Sequence, residues 1–247
     1  MRGILYFSST GNSLFVAQQL RERLGGQIRY IPAFDGSGEE FDEIIIVSPI
    51  YSFGLPVHVY DMIPKLTKAR PVWIVLTYGG MVAGADGLAY EHCKEHGVDI
   101  RGVYTVKMPE NYTLDFSVPK FYEKATLKAA PKAIAKVVSK IENGDVRIPK
   151  EKKSKKEIYL KNRPTWHQIV KDFSVSDDCV KCCKCVQICP ADNISIKDGA
   201  VTFGDQCVIC LGCYHRCPQK AIRYKHKKKS DRYLNPDIRE SDIGKDL

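Results

Sequence analysis

The chain has 247 residues, 44% of them hydrophobic and 27% charged, with a formal net charge of +9. That length is too great for a lone small metal module and suits two domains of unequal size with a buried core. No run of about 18 apolar residues occurs, so no membrane span is predicted. Nine of the ten cysteines lie between 179 and 217, a clustering that points to metal ligands rather than disulfides.

The opening "MRGILYFSSTGNS" carries one positive charge, then a short apolar run entering a Gly/Ser turn without a small-residue cleavage site. It reads as a first β-strand at 3–7, not a signal peptide, and a cytoplasmic protein is expected. Continuous β-branched runs at 43–50 and 71–78 predict strands covered on both faces, with weaker strands at 27–31 and 99–108. Between strands, Ala17, Leu20 and Leu24 recur at helical spacing. Ile134, Val137, Val138 and Ile141 do the same before a stop at Asn143 and Gly144. Five strands alternating with helices predict an α/β fold over 1–145, a five-stranded parallel doubly wound sheet. Residues 146–172 are lysine-rich without a long apolar face and read as an exposed basic linker, in part helical. A cysteine-rich unit spans 173–226, and 227–247 reads as a frayed polar tail.

In a parallel sheet of this kind, ligands bind at the carboxyl ends of the strands. "FSSTGNS" (7–13) ends the first strand and opens the first helix, where backbone amides, the helix dipole and the hydroxyls of Ser8, Ser9, Thr10 and Ser13 can hold a phosphate. A plain helix cap has the same composition. The segment resembles the flavin mononucleotide (FMN) phosphate loop of flavodoxins, Ser/Thr-x-Thr-Gly-x-Ser/Thr, met here by Ser8, Thr10, Gly11 and Ser13. That resemblance implies FMN contacts from Ser8, Ser9, Thr10, Gly11, Asn12 and Ser13. It implies ring contacts from the next two strand-end loops: Pro49, Ile50, Tyr51, Ser52, Phe53 and Gly54, then Thr77, Tyr78, Gly79 and Gly80. Tyr51 and Tyr78 could stack on a ring or simply pack in their loops. Gly79 and Gly80 would let backbone amides approach it. The paired Trp and Tyr loops of ordinary flavodoxins are absent.

The cysteines form an internal repeat. Cys179, Cys182, Cys185 and Cys189 give C-x2-C-x2-C-x3-C-P, and Cys207, Cys210, Cys213 and Cys217 give it again. Three cysteines spaced by two residues let one loop wrap three corners of a cubane while the fourth is carried away. Zinc also uses C-x2-C pairs, but two identical repeats each closed by Cys-Pro fit it poorly. Residues 173–226 resemble a bacterial-type two-cluster ferredoxin, a small α+β domain. The resemblance implies crossed ligation: Cys179, Cys182, Cys185 and Cys217 for a first 4Fe-4S cluster, and Cys207, Cys210, Cys213 and Cys189 for a second. Cys183 is left over as a thiol at the cluster rim.

The module order, with "VKMPENY" (106–112) after the fifth strand, resembles the archaeal and bacterial flavodoxin-ferredoxin fusion flavoproteins. That family implies a cytoplasmic iron-sulfur flavoprotein carrying FMN and two 4Fe-4S clusters. Its implied task is to exchange single electrons and electron pairs with redox protein partners. An FMN-dependent reductase of a small molecule and a cluster-bearing nucleic-acid-binding module are the alternatives, the latter disfavoured. The oligomeric state stays open, as does the choice between carrier and enzyme, and no protein nucleophile or general acid is called for. No G-x-G-x-x-G occurs. His92 and His96 stand at i, i+4, the spacing of a two-histidine metal site, although a solvated helix face is favoured. Cys93 reads as a packed thiol, and the lysine runs at 150–156 and 225–229 read as solvated or as a docking surface for an acidic redox partner.

Overall fold

A computed structural model describes residues 1–66, 70–115, 117–225 and 231–247. Its centre is a sheet of five strands, β1 (Arg2–Tyr6), β2 (Gln27–Tyr30), β3 (Glu43–Pro49), β4 (Pro71–Tyr78) and β5 (Asp99–Lys107). They pair in parallel in the order β2-β1-β3-β4-β5, the flavodoxin-like arrangement. Each strand lies within two residues of its predicted span.

The continuous apolar runs are explained by the two covered faces. Leu5, Ile44, Ile46, Val72, Ile74 and Leu76 point to one side, where α2 (Val57–Met62) and α3 (Ala85–Glu95) pack. Ile4, Tyr6, Ile45, Val47, Trp73 and Val75 point to the other, under α1 (Asn12–Leu24) and α4 (Lys120–Glu142). In α4 the periodic Ile134, Val137, Val138 and Ile141 are all buried, and the helix ends before Gly144 at φ 66°.

Two expectations are corrected. The segment read as an exposed linker forms α5 (Lys153–Asn162) and a 3-10 stretch at Arg163–Asp172 that pack against α2, α3 and the loop after β3, on the α2/α3 side of the sheet. Tyr159 is completely buried there, its hydroxyl donating to the Leu55 carbonyl at 2.8 Å, and Trp166 packs on it edge-to-face. These large side chains dock the helix, Lys156 adds ion pairs to Glu95 and Glu151, Lys155 lies over the Phe53 ring, and Lys153 and Lys161 face water. The tail read as frayed is docked in its described part, 231–247. Leu247 exchanges backbone hydrogen bonds with Ile28, covering the free edge of β2, and the Tyr6 hydroxyl receives the Gly244 and Lys245 amides. Tyr233 and Asn235 within it hydrogen-bond to Asn12 in the main body.

The cysteine-rich unit contains two antiparallel pairs, β6 (Phe173–Val175) with β9 (Ile222–Tyr224) and β7 (Ile194–Lys197) with β8 (Ala200–Phe203). It also has two one-turn helices, α6 (Lys184–Gln187) and α7 (Gly212–His215). Leu211, Tyr214, Ile222 and Tyr224 form its core and pack against Leu114 of the main body. The unit is further fastened by His215. Its Nδ1 accepts from the Tyr233 amide at 3.1 Å, so its Nε2 carries the proton and donates to the Asn111 carbonyl at 2.8 Å. Burial pulls this imidazole down to about 4, so it stays neutral.

No helix among the described residues is long and apolar enough to cross a membrane.

Candidate functional site

A cavity of about 410 Å³ opens at the carboxyl ends of β1, β3, β4 and β5. Its wall includes every residue assigned above to FMN except Gly11 and Gly54. Those two glycines shape the loops from behind. Gly11 sits at φ 95°, where a Cβ would also meet the Asn235 side chain at 3.0 Å. A Cβ on Gly54 would lie 2.3 Å from the Tyr159 ring.

In the 8–13 loop the hydroxyls are differently engaged. Ser8 Oγ accepts from the Gly11 amide at 3.1 Å, and Thr10 Oγ1 accepts from Asn111 Nδ2 at 2.7 Å. Each therefore keeps its own proton to donate. Ser9 has spent its proton on the Cys210 carbonyl at 2.5 Å, and Ser13 shares one with Thr77 at 2.9 Å. Both polar atoms of the Asn12 side chain have partners within the protein. Its Nδ2 donates to the Pro109 carbonyl at 2.9 Å, while its Oδ1 accepts from Tyr233 Oη at 2.6 Å and Asn235 Nδ2 at 3.1 Å. Asn12 holds the loop in place, and the backbone and the two free hydroxyls are left to meet an anion. The first turn of α1 carries no acidic residue to oppose one.

The loop after β3 turns tightly at Ser52 (φ 44°) and Phe53 (φ 72°), with Tyr51 and Gly54 exchanging two backbone hydrogen bonds of 2.9 Å. Two successive non-glycine residues at positive φ are rare outside such turns. Tyr51 lies edge-on to Phe7 at 6.2 Å, and burial, then the nearby Cys210, raises its hydroxyl far above the usual range. After β4, the Gly80 amide donates to Glu110 Oε2 at 3.1 Å, while Glu110 Oε1 accepts from the Asn111 and Tyr112 amides at 2.9 and 2.8 Å. The amide expected to face a ring is thus tied to a carboxylate. A Cβ on Gly79 would come within 2.5 Å of the Glu110 backbone, so this approach requires glycine.

Met108, Pro109 and Glu110 line the same cavity and were not assigned to the site from sequence; Asn111 and Tyr112, which sequence allows near a flavin without a spacing argument to place them, line it too. The signal was available: "VKMPENY" follows β5, and the rule placing ligands at strand ends applies to that strand as well. Ile209, Cys210 and Leu211 also line it, so the second cysteine loop forms part of its wall.

The cysteines separate into two sets. Cys179, Cys182, Cys185 and Cys217 surround one small cavity of about 20 Å³, together with Cys183. Cys189 acts electrostatically on Cys207, Cys210 and Cys213, and Cys185 of the first set also acts on Cys213, so the two sets adjoin. Burial pushes the Cys210 thiol up to about 12 and Cys213 well above its ordinary value, with the neighbouring thiols adding to both shifts. The repeat extends to backbone detail. Lys181 and Cys183 in the first loop, and Ile209 and Leu211 in the second, hold positive φ between 50° and 60°. Cys189 Sγ accepts the Asn193 amide at 3.3 Å, and Cys217 Sγ accepts the Ala221 amide at the same distance. Among the described residues no three His, Cys, Asp or Glu side chains converge as ligands of a single metal ion.

His92 and His96 do not form a metal pair. His92 Nε2 bonds the Tyr60 carbonyl at 2.8 Å with its ring stacked 3.6 Å from that of Tyr60, and His96 Nδ1 bonds the His92 carbonyl at 2.9 Å. Burial raises the Cys93 thiol to about 12, as suits a packed thiol. Of the second lysine run only Lys225 is described; 226–229 lie outside the described residues.

No family model matches the chain, and no curated protein sequence matches it. Among solved structures, it is similar to a Fusobacterium nucleatum flavodoxin bound to flavin mononucleotide, at 14% identity and a TM-score of 0.42 over 57% of this chain and 96% of that one. The Trp repressor binding protein of Bacillus subtilis gives 12% identity and 0.39 over 54% and 96%. A flavodiiron core from Synechocystis gives 15% and 0.35 over 57% of this chain and 36% of that one, so the chain spans about a third of that protein.

Proposed function

We propose that this chain is an electron-transfer flavoprotein with FMN in the 410 Å³ cavity and two 4Fe-4S clusters on the crossed cysteine sets. The observation that carries the reading is the shared wall, in which Cys210 of the second set lines the same cavity as the 8–13 loop. Bound FMN exchanges one or two electrons and each cluster exchanges one, so together they convert between electron pairs and single electrons. The residues present fit both groups. The 8–13 amides, the free protons of Ser8 and Thr10 and the start of α1 suit a phosphate. The left-handed residues on either side of Cys182 and of Cys210, and the amides donated to Cys189 and Cys217, suit cluster thiolates. A cubane gives each thiolate its own iron, so its four ligands need not converge as those of a lone zinc must.

The two cysteine sets are differently exposed, and this supports a direction along the chain. Cys210 and Leu211 are packed against the cavity, whereas Val180 is 60% exposed and Cys182 faces solvent. The first set is then the port for an outside redox protein, and the second hands electrons to or from the flavin within one chain. Eight cluster thiolates, two 2+ cluster cores and an FMN phosphate would bring the formal charge of +9 down to about +3, which still favours an acidic partner, with an encounter rate that falls as salt rises. The reading keeps the protein in the cytoplasm.

Anaerobic reconstitution tests this directly. About eight irons, eight sulfides and one FMN per chain are expected, with flavin reduction after cluster reduction occurring at a rate independent of protein concentration. Retention of zinc in place of iron, or a protein that takes up no FMN, would overturn the reading. Salt-sensitive nucleic-acid binding without flavin would favour the binding-module alternative.

A further inference from the structure

Arg232 comes from the C-terminal segment yet is built into the cysteine-rich unit. Its guanidinium lies 3.5 Å from the centre of the Tyr214 ring. One terminal nitrogen donates to the Tyr214 carbonyl, and the other to the carbonyls of Lys220 and Ile222. Its Nε is buried without a hydrogen-bond partner, and among the described residues the side chain forms no ion pair. Other cations of the unit are placed differently. Arg216 and Lys184 share Glu240, and Arg223 pairs with Asp178 on the surface.

A half-buried guanidinium without a carboxylate is costly unless something negative stands near it. Burial lowers the Arg232 pKa, and the groups that act against it are Tyr214, Cys217 and Cys213. Tyr214, whose carbonyl Arg232 holds, directly follows Cys213 of the second ligand set. The Lys220–Ala221 peptide, whose carbonyl it also holds, donates its amide to Cys217 Sγ of the first at 3.3 Å, so the charge is fixed one peptide away from a ligand of each. Arg232 is separated in sequence from both repeats, and nothing in the cysteine spacing announces it.

Resting on the cluster reading above, we propose that Arg232 is the shared counter-charge of the two iron-sulfur clusters, holding both at higher reduction potential than their ligands alone would set. Reduction adds one electron and one negative charge to a cluster, and a fixed cation beside its thiolates favours that state. The three carbonyl hydrogen bonds and the Tyr214 face fix where the cation stands, so it requires no rearrangement when either cluster is reduced.

The test compares Arg232→Gln and Arg232→Lys, with Arg223→Gln as a surface control, by anaerobic redox titration of the reconstituted full chain followed by electron paramagnetic resonance. Arg232→Gln should make both clusters harder to reduce by roughly tenfold in the reduction equilibrium, about 59 mV for one electron. Arg232→Lys should stay near the wild-type potentials, and so should Arg223→Gln. Unchanged potentials in the Gln variant, or equal shifts in the Gln and Lys variants, would overturn the assignment. If the Gln variant fails to hold iron while the Lys variant holds it, the charge itself is required and the proposal stands. If both fail, the residue acts through its carbonyl bonds and the proposal falls. A wild-type chain that takes up no clusters would instead refute the cluster reading, before any variant is made.

Discussion

Asn12 offers the sharpest check on how the cavity is held together. It is 6% exposed and bridges three parts of the chain: the 8–13 loop, Pro109 after β5, and Tyr233 with Asn235 in the C-terminal segment. Asn12→Ala leaves one buried acceptor and two buried donors without their partner. Each orphaned group costs about 1–3 kcal/mol, less where water can enter the vacated space. A loss near 3 kcal/mol is therefore expected, against about 0.5 kcal/mol for an ordinary surface substitution. Tyr233→Phe removes only one donor and should cost about 1 kcal/mol. Because the two residues share a hydrogen bond, the double variant should lose less than the two single losses combined, by about 0.5 kcal/mol or more. Anaerobic urea unfolding gives these values from the shift in midpoint, and flavin titration should show weaker FMN binding in Asn12→Ala. A stability loss below about 0.5 kcal/mol, or strict additivity with Tyr233→Phe, would refute the claim that Asn12 ties the loop to the C-terminal segment.

Three further outcomes are expected. Gly54→Ala places a methyl 2.3 Å from the Tyr159 ring and should lower stability by about 1–3 kcal/mol, read as a lower melting temperature; an unchanged melt would mean that α5 is not packed there as described. Cys183→Ser should keep its full iron content, whereas Cys182→Ser should lose the first cluster and keep the second, as counted by iron analysis. Loss of iron from Cys183→Ser would overturn the register chosen for the ligands. At pH 8, Cys93 should resist alkylation in the native protein. Burial raises its thiol from 9.0 to about 12, so its thiolate fraction falls about a thousandfold, and rapid labelling detected by mass spectrometry would contradict its burial.

The sheet was legible because its signals are local. A strand covered on both faces must be apolar throughout, and "EIIIVSPI" and "PVWIVLTY" have no other easy explanation. The wall of the cavity was largely legible for a related reason: strand ends are fixed once strands are fixed, and the ligand loops follow them. What escaped depends on partners distant in sequence. Nothing near Tyr159 indicates that its hydroxyl reaches Leu55, and nothing near Asn235 indicates that it meets Asn12. Low average hydrophobicity made both segments look exposed, but docking rests on a few large or well-paired side chains and not on the average. Asn12 carries a second task that the phosphate-loop pattern does not announce: besides lining the cavity, its side chain joins three segments.

The two cysteine repeats show most clearly where spacing ends and environment begins. In sequence they are interchangeable, and even their left-handed backbone positions match. The position equivalent to Cys183 is Leu211. Leu211 is 6% exposed and lines the large cavity, while Cys183 lies with the first ligand set on the outer side of the unit. A cysteine at 211 would place an oxidisable thiol against any bound flavin, and a leucine at 183 would add an apolar side chain beside the already exposed Val180. The difference between these two residues follows from which loop faces inward. The extra cysteine, which makes the first repeat look denser in metal ligands, marks the side of a symmetric unit that faces away from the cavity.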